Sequence, residues 1–234
     1  MKNNDNYNPN NEVSMKNDSN GNDADNDNGN DNNVNSRDKY IMRELFGGAI
    51  ITSFLSTFED ISLVRQVPDH QEVYVDRVTD MSLIVELLSY DESISDNIAT
   101  QHYFRDLAQC NEATEYSIDS SSVVSSNTCI PGIAGAYSCC ALVGRQVVAK
   151  FYRRLDSPLN NVQILLLVLR LPAVGTDILI TLNIPHPQEE TNIPTIATSS
   201  FLSPLPLLLT EPAAVDIMRQ ILKNFKIIDW SLFA

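Results

Sequence analysis

Two carboxylates three residues apart, Asp69 and Glu72, are the strongest candidates for a functional contact in this sequence. They follow Pro68, which fixes its own φ angle and favours extended geometry at the residue before it. Glu72 precedes the alternating run Val73-Tyr74-Val75, which predicts a strand with the valines on one face and the tyrosine on the other. The pattern predicts a stiff surface corner with two anions, which suits contact with a basic protein patch. A solvated turn leading into a strand stays open as the alternative.

Four further polar side chains of this segment are weaker candidates for the same contact. Arg65 and Gln71 flank Asp69 along the chain, and Asp76 ends the alternating run. His70 stands between the two carboxylates, and because histidine changes charge near neutral pH, it could tune an interface. We therefore predict that the partner contacts Asp69, Glu72, Gln71, His70 and Arg65. Asp76 is a weaker candidate for the same surface.

The sequence has no pattern typical of catalysis or of a bound cofactor. It contains no Gly-x-Ser-x-Gly nucleophile elbow and no Gly-x-x-x-x-Gly-Lys phosphate loop. The Gly47-Gly48 pair lacks the dinucleotide-binding fingerprint, the three histidines are scattered, and no Cys/His metal-ligand spacing appears. We therefore expect neither an enzyme nor a protein that holds a metal ion or another cofactor.

The excess of acidic side chains favours a basic protein as the partner. The 234 residues include 30 Asp and Glu against 16 Lys and Arg, a formal net charge of −14 with a pI of about 4.4. Nucleic acids and anionic membranes attract basic proteins, so binding to either is disfavoured. Opposite electrostatic fields speed the encounter of two proteins, so a basic patch fits. Solubility alone is the simpler explanation of the acidity, and it stays open.

The cysteines and the N-terminus predict a soluble intracellular protein. Cys139 and Cys140 are adjacent and would point to opposite faces of a strand, so they cannot easily hold one metal ion. We expect all four cysteines to be reduced and mostly buried. The N-terminus lacks the apolar segment of a signal peptide, and the longest apolar run, residues 164–169, is far too short to span a bilayer.

Composition divides the chain into a tail and one domain. Residues 1–38 are dominated by Asn and Asp, so they cannot bury enough apolar surface to offset the entropy of ordering and are predicted to be disordered. Residues 39–234 are long enough for a substantial core and are predicted to form a single globular domain. Within it, residues 119–128 and 185–206 are predicted to be Ser-rich and Pro-rich loops.

Three segments have the features of helices. Asp80 could cap a helix through residue 88, and Ser95 or Asp96 could cap a second one to about residue 110. Pro212 lies near the first position of a third, where proline is favoured. The side chains predicted to pack inward are Leu83, Leu87 and Leu88 in the first helix, Ile98, Phe104 and Ala108 in the second, and Val215, Met218, Ile221, Leu222 and Phe225 in the third.

The other segments predict strands. Residues 45–54 form one strand with a bulge at Gly47-Gly48, residues 133–143 and 146–152 form a hairpin around Gly144, residues 162–171 and 177–184 form a second hairpin, and residues 226–229 close the sheet. Residues 165–169 are apolar on both faces, which predicts a central strand covered on both sides. Helices before and after a block of hairpins predict an α+β fold, a largely antiparallel central sheet flanked by helices. Trp230 and Phe233 either cap the core or offer aromatic anchors to a partner.

Five further blocks, read in order with the acidic segment, resemble the Ran guanine nucleotide release factor family. The blocks are ELFGGAI (44–50), TDMSLIVELL (79–88), RLP (170–172), TDILITLN (176–183) and FKIIDWSLF (225–233). The resemblance runs from about residue 44 to the C-terminus and leaves out the Asn-rich tail and the two loops. It implies an α/β/α sandwich of the PsbP-like type.

The same resemblance implies a function and a site. It implies a protein that binds the small GTPase Ran and promotes release of its guanine nucleotide, in support of nuclear transport, in the nucleus and the cytoplasm, as a monomer before binding. In that family, acidic residues at the position of Pro68-Asp69-His70-Gln71-Glu72 are important for the Ran contact, which carries over to Asp69 and Glu72. A Ran-binding adaptor without release activity and a structural subunit of the PsbP-like kind are the alternatives.

Overall fold

The computed structural model describes residues 40–124, 130–133, 137–149, 159–186 and 212–233. All of them lie in one unit of the chain, Val34–Ala234. The predicted tail, residues 1–38, lies outside the described residues, as does most of the predicted Pro-rich loop.

The described residues form ten strands and two longer helices. The strands are β1 (Tyr40–Leu45), β2 (Ile50–Leu55), β3 (Phe58–Asp60), β4 (Gln71–Asp76), β5 (Ser82–Ser89), β6 (Glu115–Val124), β7 (Ser138–Ala149), β8 (Leu159–Leu171), β9 (Thr176–His186) and β10 (Lys226–Ile227); the helices are α1 (Asp96–Cys110) and α2 (Pro212–Asn224). Seven strands form an antiparallel sheet in the order β3-β4-β5-β9-β8-β7-β6, and β1, β2 and β10 form a second, smaller sheet.

Helices cover both faces of the seven-stranded sheet, as the α+β prediction requires. The buried apolar side chains form two clusters, one on each face of this sheet. Leu165, Leu167 and Leu169 of β8 pack with α2 and the small sheet in the larger core cluster. Ile164, Leu166 and Val168 pack with α1 in the second cluster. All these side chains are buried, and β8 lies between β7 and β9. The predicted central strand, its hairpin with β9 and the buried side of the last helix are therefore confirmed.

Residues 82–89 form strand β5, so the predicted helix from an Asp80 cap through residue 88 is wrong. In β5, Leu83 and Val85 face the larger cluster, and the strand pairs with both β4 and β9. Asp80 has a φ angle of 59° and lies in the tight β4–β5 turn, where its amide donates to the carbonyl of Asp76 at 2.9 Å. A helical pattern over so few residues is overridden because two strand neighbours are available for pairing.

The predicted strand over residues 45–54 is a hairpin. β1 and β2 pair antiparallel, and a 3-10 turn, Phe46–Gly48, joins them. Gly47 and Gly48 have φ angles of 64° and 94°, which only glycine adopts at little cost, so the pair reverses the chain instead of bulging one strand.

Gly144 does not turn the chain either, because β7 runs straight through it. A Cβ atom at this position would lie 2.6 Å from Cζ of Phe104 and 2.6 Å from the backbone oxygen of Ser117. The glycine is therefore needed where α1 presses against the sheet, and the predicted hairpin at residue 144 is wrong.

Two smaller predictions are corrected in the same region. Residues 119–124 belong to strand β6 and not to a loop, because they pair with β7; residues 125–128 lie outside the described residues. The predicted helix 95–110 is confirmed with Phe104 and Ala108 buried, but Ile98 is 49% exposed.

The expectation that all four cysteines are reduced is wrong, because Cys139 is disulfide-bonded. Of the other described cysteines, Cys110 is free and exposed, and Cys140 is free and buried. Cys139 and Cys140 do point to opposite faces, since they belong to different core clusters. Burial, reinforced by the nearby charge of Asp96, raises the pKa of the Cys140 thiol to about 12.

Candidate partner-binding surface

The acidic segment lies at a corner of the seven-stranded sheet. β3 is the edge strand and pairs only with residues 74–76 of β4, so the first three residues of β4 have a strand neighbour on one side only. Residues 61–70 join β3 to β4 around this open side, and their 3-10 turn, Ile61–Leu63, packs against β4. We call residues 60–72 the acidic corner.

Asp69 is held on a defined turn with its carboxylate in solvent. The amide of Gln71 donates to the carbonyl of Pro68 at 2.9 Å, and the amide of Leu87 donates to the carbonyl of His70 at 2.9 Å. Among the described residues the Asp69 side chain has no hydrogen-bond or ion-pair partner. An ordered backbone with an unpaired, exposed anion fits the predicted recognition corner.

Glu72 is half-buried and already occupied by its own domain. Its Oε1 accepts a hydrogen bond from the amide of Phe46 at 2.6 Å, and its Oε2 accepts one from the hydroxyl of Tyr74 at 3.5 Å. Phe46 has a φ angle of 51°, unusual for a residue with a side chain, so the glutamate secures the β1–β2 turn. Burial, together with the negative charges of Glu72 and Asp60, raises the pKa of Tyr74 above its ordinary value, so the phenol stays a donor.

His70 and Gln71 converge on Glu86, a residue that the sequence did not single out. Nε2 of Gln71 donates to Oε1 of Glu86 at 2.6 Å, and Nε2 of His70 lies 3.4 Å from the same oxygen. Gln71 and Glu86 stand directly opposite each other in the β4–β5 pair. The prediction of a helix from an Asp80 cap through residue 88 hid this neighbour, because only a strand puts Glu86 across from Gln71.

The candidate residues divide between the two faces of the sheet. Tyr74 belongs to the larger core cluster, so Glu72 points to that face while Gln71 points to the other, since side chains alternate along a strand. Asp69 and Arg65 are both exposed and precede the strand. Asp76 is 1% exposed and binds the amide of Val78 at 3.1 Å at the far end of β4, so the structure does not bring it to the corner.

An open groove of about 630 Å³ adjoins the corner, between the small sheet and the edge of the large one. Met42, Arg43, Glu44, Ile51, Asp60 and Tyr74 line it. The Arg43 guanidinium donates to the carbonyl of Phe58 at 2.9 Å and lies over the rings of Phe54 and Tyr74, which ties β1 to β3. The groove was not predicted, because its walls come from strands whose approach the sequence does not reveal.

The described residues contain no group of three or more His, Cys, Asp or Glu side chains placed to hold a metal ion. Within the same ranges, no helix is both long and apolar enough to cross a membrane. The α+β fold and the ordered acidic corner place the molecule in the class of small α+β proteins whose candidate site is a surface for another protein.

Comparison with known proteins identifies the family. The model of the Ran-interacting Mog1 protein family matches residues 43–185, and the chain belongs to that family. The Ran guanine nucleotide release factor of Danio rerio is 39% identical over 147 residues, which cover 61% of this chain and 77% of that protein. The nuclear import protein MOG1 of Saccharomyces cerevisiae is 29% identical over 202 residues, 82% of this chain and 84% of that protein. A solved structure of a Mog1 point mutant superposes with a TM-score of 0.59 at 26% identity, covering 84% of this chain and 100% of that one.

Proposed function

We propose that this protein binds the small GTPase Ran and promotes release of its guanine nucleotide, in support of nuclear transport. The observation that carries the proposal is the exposed carboxylate of Asp69, which has no partner within the described part of the chain and lies on a hydrogen-bonded turn, in a chain of the Ran-interacting Mog1 family. The names of the relatives support both parts of the proposal: one is a Ran guanine nucleotide release factor and another a nuclear import protein.

The physical requirement for release is a difference in affinity. A small GTPase holds GTP through phosphate-loop amides, a lysine and a magnesium ion. A partner that binds the nucleotide-free form more tightly than the loaded form shifts the equilibrium toward release. A carboxylate suits this task, because it offers a substitute counter-charge to basic groups near the phosphates and repels the γ-phosphate.

In this mechanism Asp69 makes the contact, and the residues around it position the contact. Glu72 holds the β1–β2 turn through the amide of Phe46, while Glu86 orders His70 and Gln71. Arg65 is the one cation of the acidic corner and would face acidic groups on the partner. The protein acts on the GTPase by binding alone, without catalytic residues, metal or cofactor of its own.

Charge reversal of Asp69 tests the proposal. Asp69→Lys is expected to weaken binding to nucleotide-free Ran by roughly 30-fold or more if the carboxylate is buried in the complex, since losing one partner of a buried charge pair costs about 2–5 kcal/mol. Glu115→Lys is the matched control, because Glu115 is also exposed but lies on β6 at the opposite edge of the sheet. Equal binding by wild type and a folded Asp69→Lys variant would contradict the proposed site.

A release assay separates this function from that of an adaptor. Ran loaded with a fluorescent nucleotide is mixed with the protein, and nucleotide dissociation is followed in the presence of excess unlabelled nucleotide. A release factor accelerates the loss of fluorescence, whereas an adaptor leaves the rate unchanged or slows it. Acceleration that disappears in Asp69→Lys and persists in Glu115→Lys is the expected result.

The remaining features of the proposal follow from charge and from the relatives. The net charge of −14 supports a protein partner over a nucleic acid. We place the action of the protein in the nucleus and cytoplasm, and we take it to be a monomer before it binds Ran. Residues 39–234 are proposed as the single Ran-binding domain, with residues 1–38 as a disordered tail.

A further inference from the structure

Two adjacent apolar side chains of the acidic corner are almost fully in solvent. Leu63 is 87% exposed and Val64 80% exposed, whereas the other large exposed apolar side chains of the described residues reach 57% at most. Single exposed apolar side chains are ordinary on protein surfaces. Two consecutive ones that leave nearly all their surface in water are costly, and they indicate a surface that a partner covers.

These two side chains project from an ordered turn. The Asp60 carboxylate accepts a hydrogen bond from the amide of Ser62 at 2.8 Å and so caps the 3-10 turn. The amides of Val64 and Arg65 donate to the carbonyl of Ile61 at 2.9 and 3.0 Å. Because the backbone is already ordered, little conformational entropy is lost when a partner covers Leu63 and Val64.

The apolar pair lies within reach of the contact proposed for Asp69. Val64 and Asp69 are five residues apart, so their Cα atoms are separated by at most ~18 Å. A standard interface covers about 800 Å² on each partner, a patch roughly 30 Å across. One partner of ordinary footprint therefore covers both features, and the turn packs against β4, the strand that Asp69 precedes.

We propose that Leu63 and Val64 are the apolar anchors of the Ran contact, seated in an apolar depression of Ran bordered by the basic groups that Asp69 faces. This inference rests on the proposed function, since Ran is the occupant. The two features have different tasks: exposed charges steer the encounter and affect the association rate, whereas desolvated apolar anchors slow dissociation. The anchors also set the register of the acidic corner on its partner.

The test is the double variant Leu63→Ser with Val64→Ser in the full chain. Binding kinetics to nucleotide-free Ran are measured at low and high ionic strength. We expect the affinity to fall about tenfold or more, a loss of about 1.4 kcal/mol, through faster dissociation at both ionic strengths. Leu63→Met keeps an apolar side chain of similar volume and is expected to bind like wild type.

Val78→Ser is the matched control. Val78 is an apolar side chain, 52% exposed, in the turn at the far end of β4, and its replacement is expected to change the affinity by less than about twofold. Thermal melting of each variant verifies folding, which should be unaffected because the replaced side chains lie in solvent.

The possible outcomes distinguish a failure of the anchor inference from a failure of the proposed function. If wild type and the double variant bind Ran with the same dissociation rate, the anchor inference is overturned and the proposed function stands. If wild type does not bind Ran, both are overturned. Sedimentation then shows whether a second copy of this chain covers the pair, because concentration-dependent self-association would disappear in the double variant.

Discussion

Asp69 and Glu72, two of the three carboxylates of the acidic corner, differ in the groups that they touch. Asp69 is exposed and unpaired among the described residues, so its charge is available to a partner. Glu72 accepts the amide of Phe46 and the hydroxyl of Tyr74, so its charge also supports the fold. We therefore expect substitutions at the two positions to affect different properties: the proposed Ran contact at Asp69 and the stability of the domain at Glu72.

Removal of the Glu72 carboxylate is expected to destabilise the domain. Glu72→Ala leaves the Phe46 amide without its acceptor, and because the carboxylate is only half-buried we expect a loss of about 1–2 kcal/mol in the free energy of unfolding. Glu72→Gln keeps an oxygen that can accept from the same amide and should lose less. Urea unfolding measures both, with Asp69→Ala as the control expected to stay within about 0.5 kcal/mol of wild type. An unchanged midpoint for Glu72→Ala would show that the Phe46 contact contributes nothing to stability.

Among the elements, helix α1 is attached to the sheet by a buried arginine and by a glycine. Arg170 of β8 is 1% exposed and pairs with Asp177 of β9 at 3.3 Å and with Asp96, the first residue of α1, at 2.9 Å. The hydroxyl of Tyr103 in α1 donates to Asp177 at 2.6 Å. Arg170 and Asp177 lie in two of the blocks that carry the family resemblance, and these contacts are internal, so the resemblance at residues 170–183 reports on the fold rather than on the partner.

Gly144 is the second point at which α1 closely contacts the sheet. Substituting this glycine is expected to weaken the packing of α1 on β7. A Cβ atom there would overlap both the Phe104 ring and the carbonyl of Ser117. Gly144→Ala should destabilise the domain by about 1–3 kcal/mol, the usual cost of overpacking a core. Thermal or urea unfolding measures this loss.

A second-site change separates the two clashes at Gly144. Phe104→Leu shortens the ring side chain, but the Ser117 carbonyl belongs to the backbone and cannot move as freely. The double variant Gly144→Ala with Phe104→Leu should therefore recover only part of the stability lost, measured against Phe104→Leu alone. Full recovery, or no loss in Gly144→Ala itself, would mean that the approach of α1 to β7 is looser than the structure has it.

The whole molecule carries a strong negative field, most of it outside the N-terminal tail. Residues 1–36 hold seven acidic side chains and two lysines, so nine of the fourteen excess negative charges belong to residues 37–234. A field of this size acts over a Debye length of about 10 Å at moderate salt and guides a basic partner toward the surface before contact.

The association of this protein with Ran is accordingly expected to slow as salt is added. Raising the ionic strength should lower the association rate constant several-fold and leave the dissociation rate constant nearly unchanged, because screening weakens steering more than close contacts. Stopped-flow fluorescence over a series of salt concentrations measures both constants. Asp69→Asn should show a shallower salt dependence than wild type, and an association rate insensitive to salt would contradict electrostatic steering.

The sequence by itself determined the features that depend on a few neighbouring residues. Pro68 and the Val73-Tyr74-Val75 alternation indicated an ordered turn before a strand. Apolar side chains at both the odd- and the even-numbered positions predicted that β8 is the central strand. The helix from Asp96 and the helix from Pro212 followed from caps and spacing, and the family resemblance suggested Ran. Each of these signals is local, or is carried by short blocks read in order.

Tertiary structure decided what depends on segments distant in the chain. Residues 82–89 form a strand because β4 and β9 offer hydrogen-bond partners on both sides, and Gly144 lies within a strand because α1 occupies the room that a side chain would take. The same long-range pairing put Glu86 across from Gln71 and the Phe46 amide on Glu72. Such contacts are set by sheet order and register, which the residues of a single strand do not encode. Only the fold therefore shows which acids of the corner are already hydrogen-bonded within the domain.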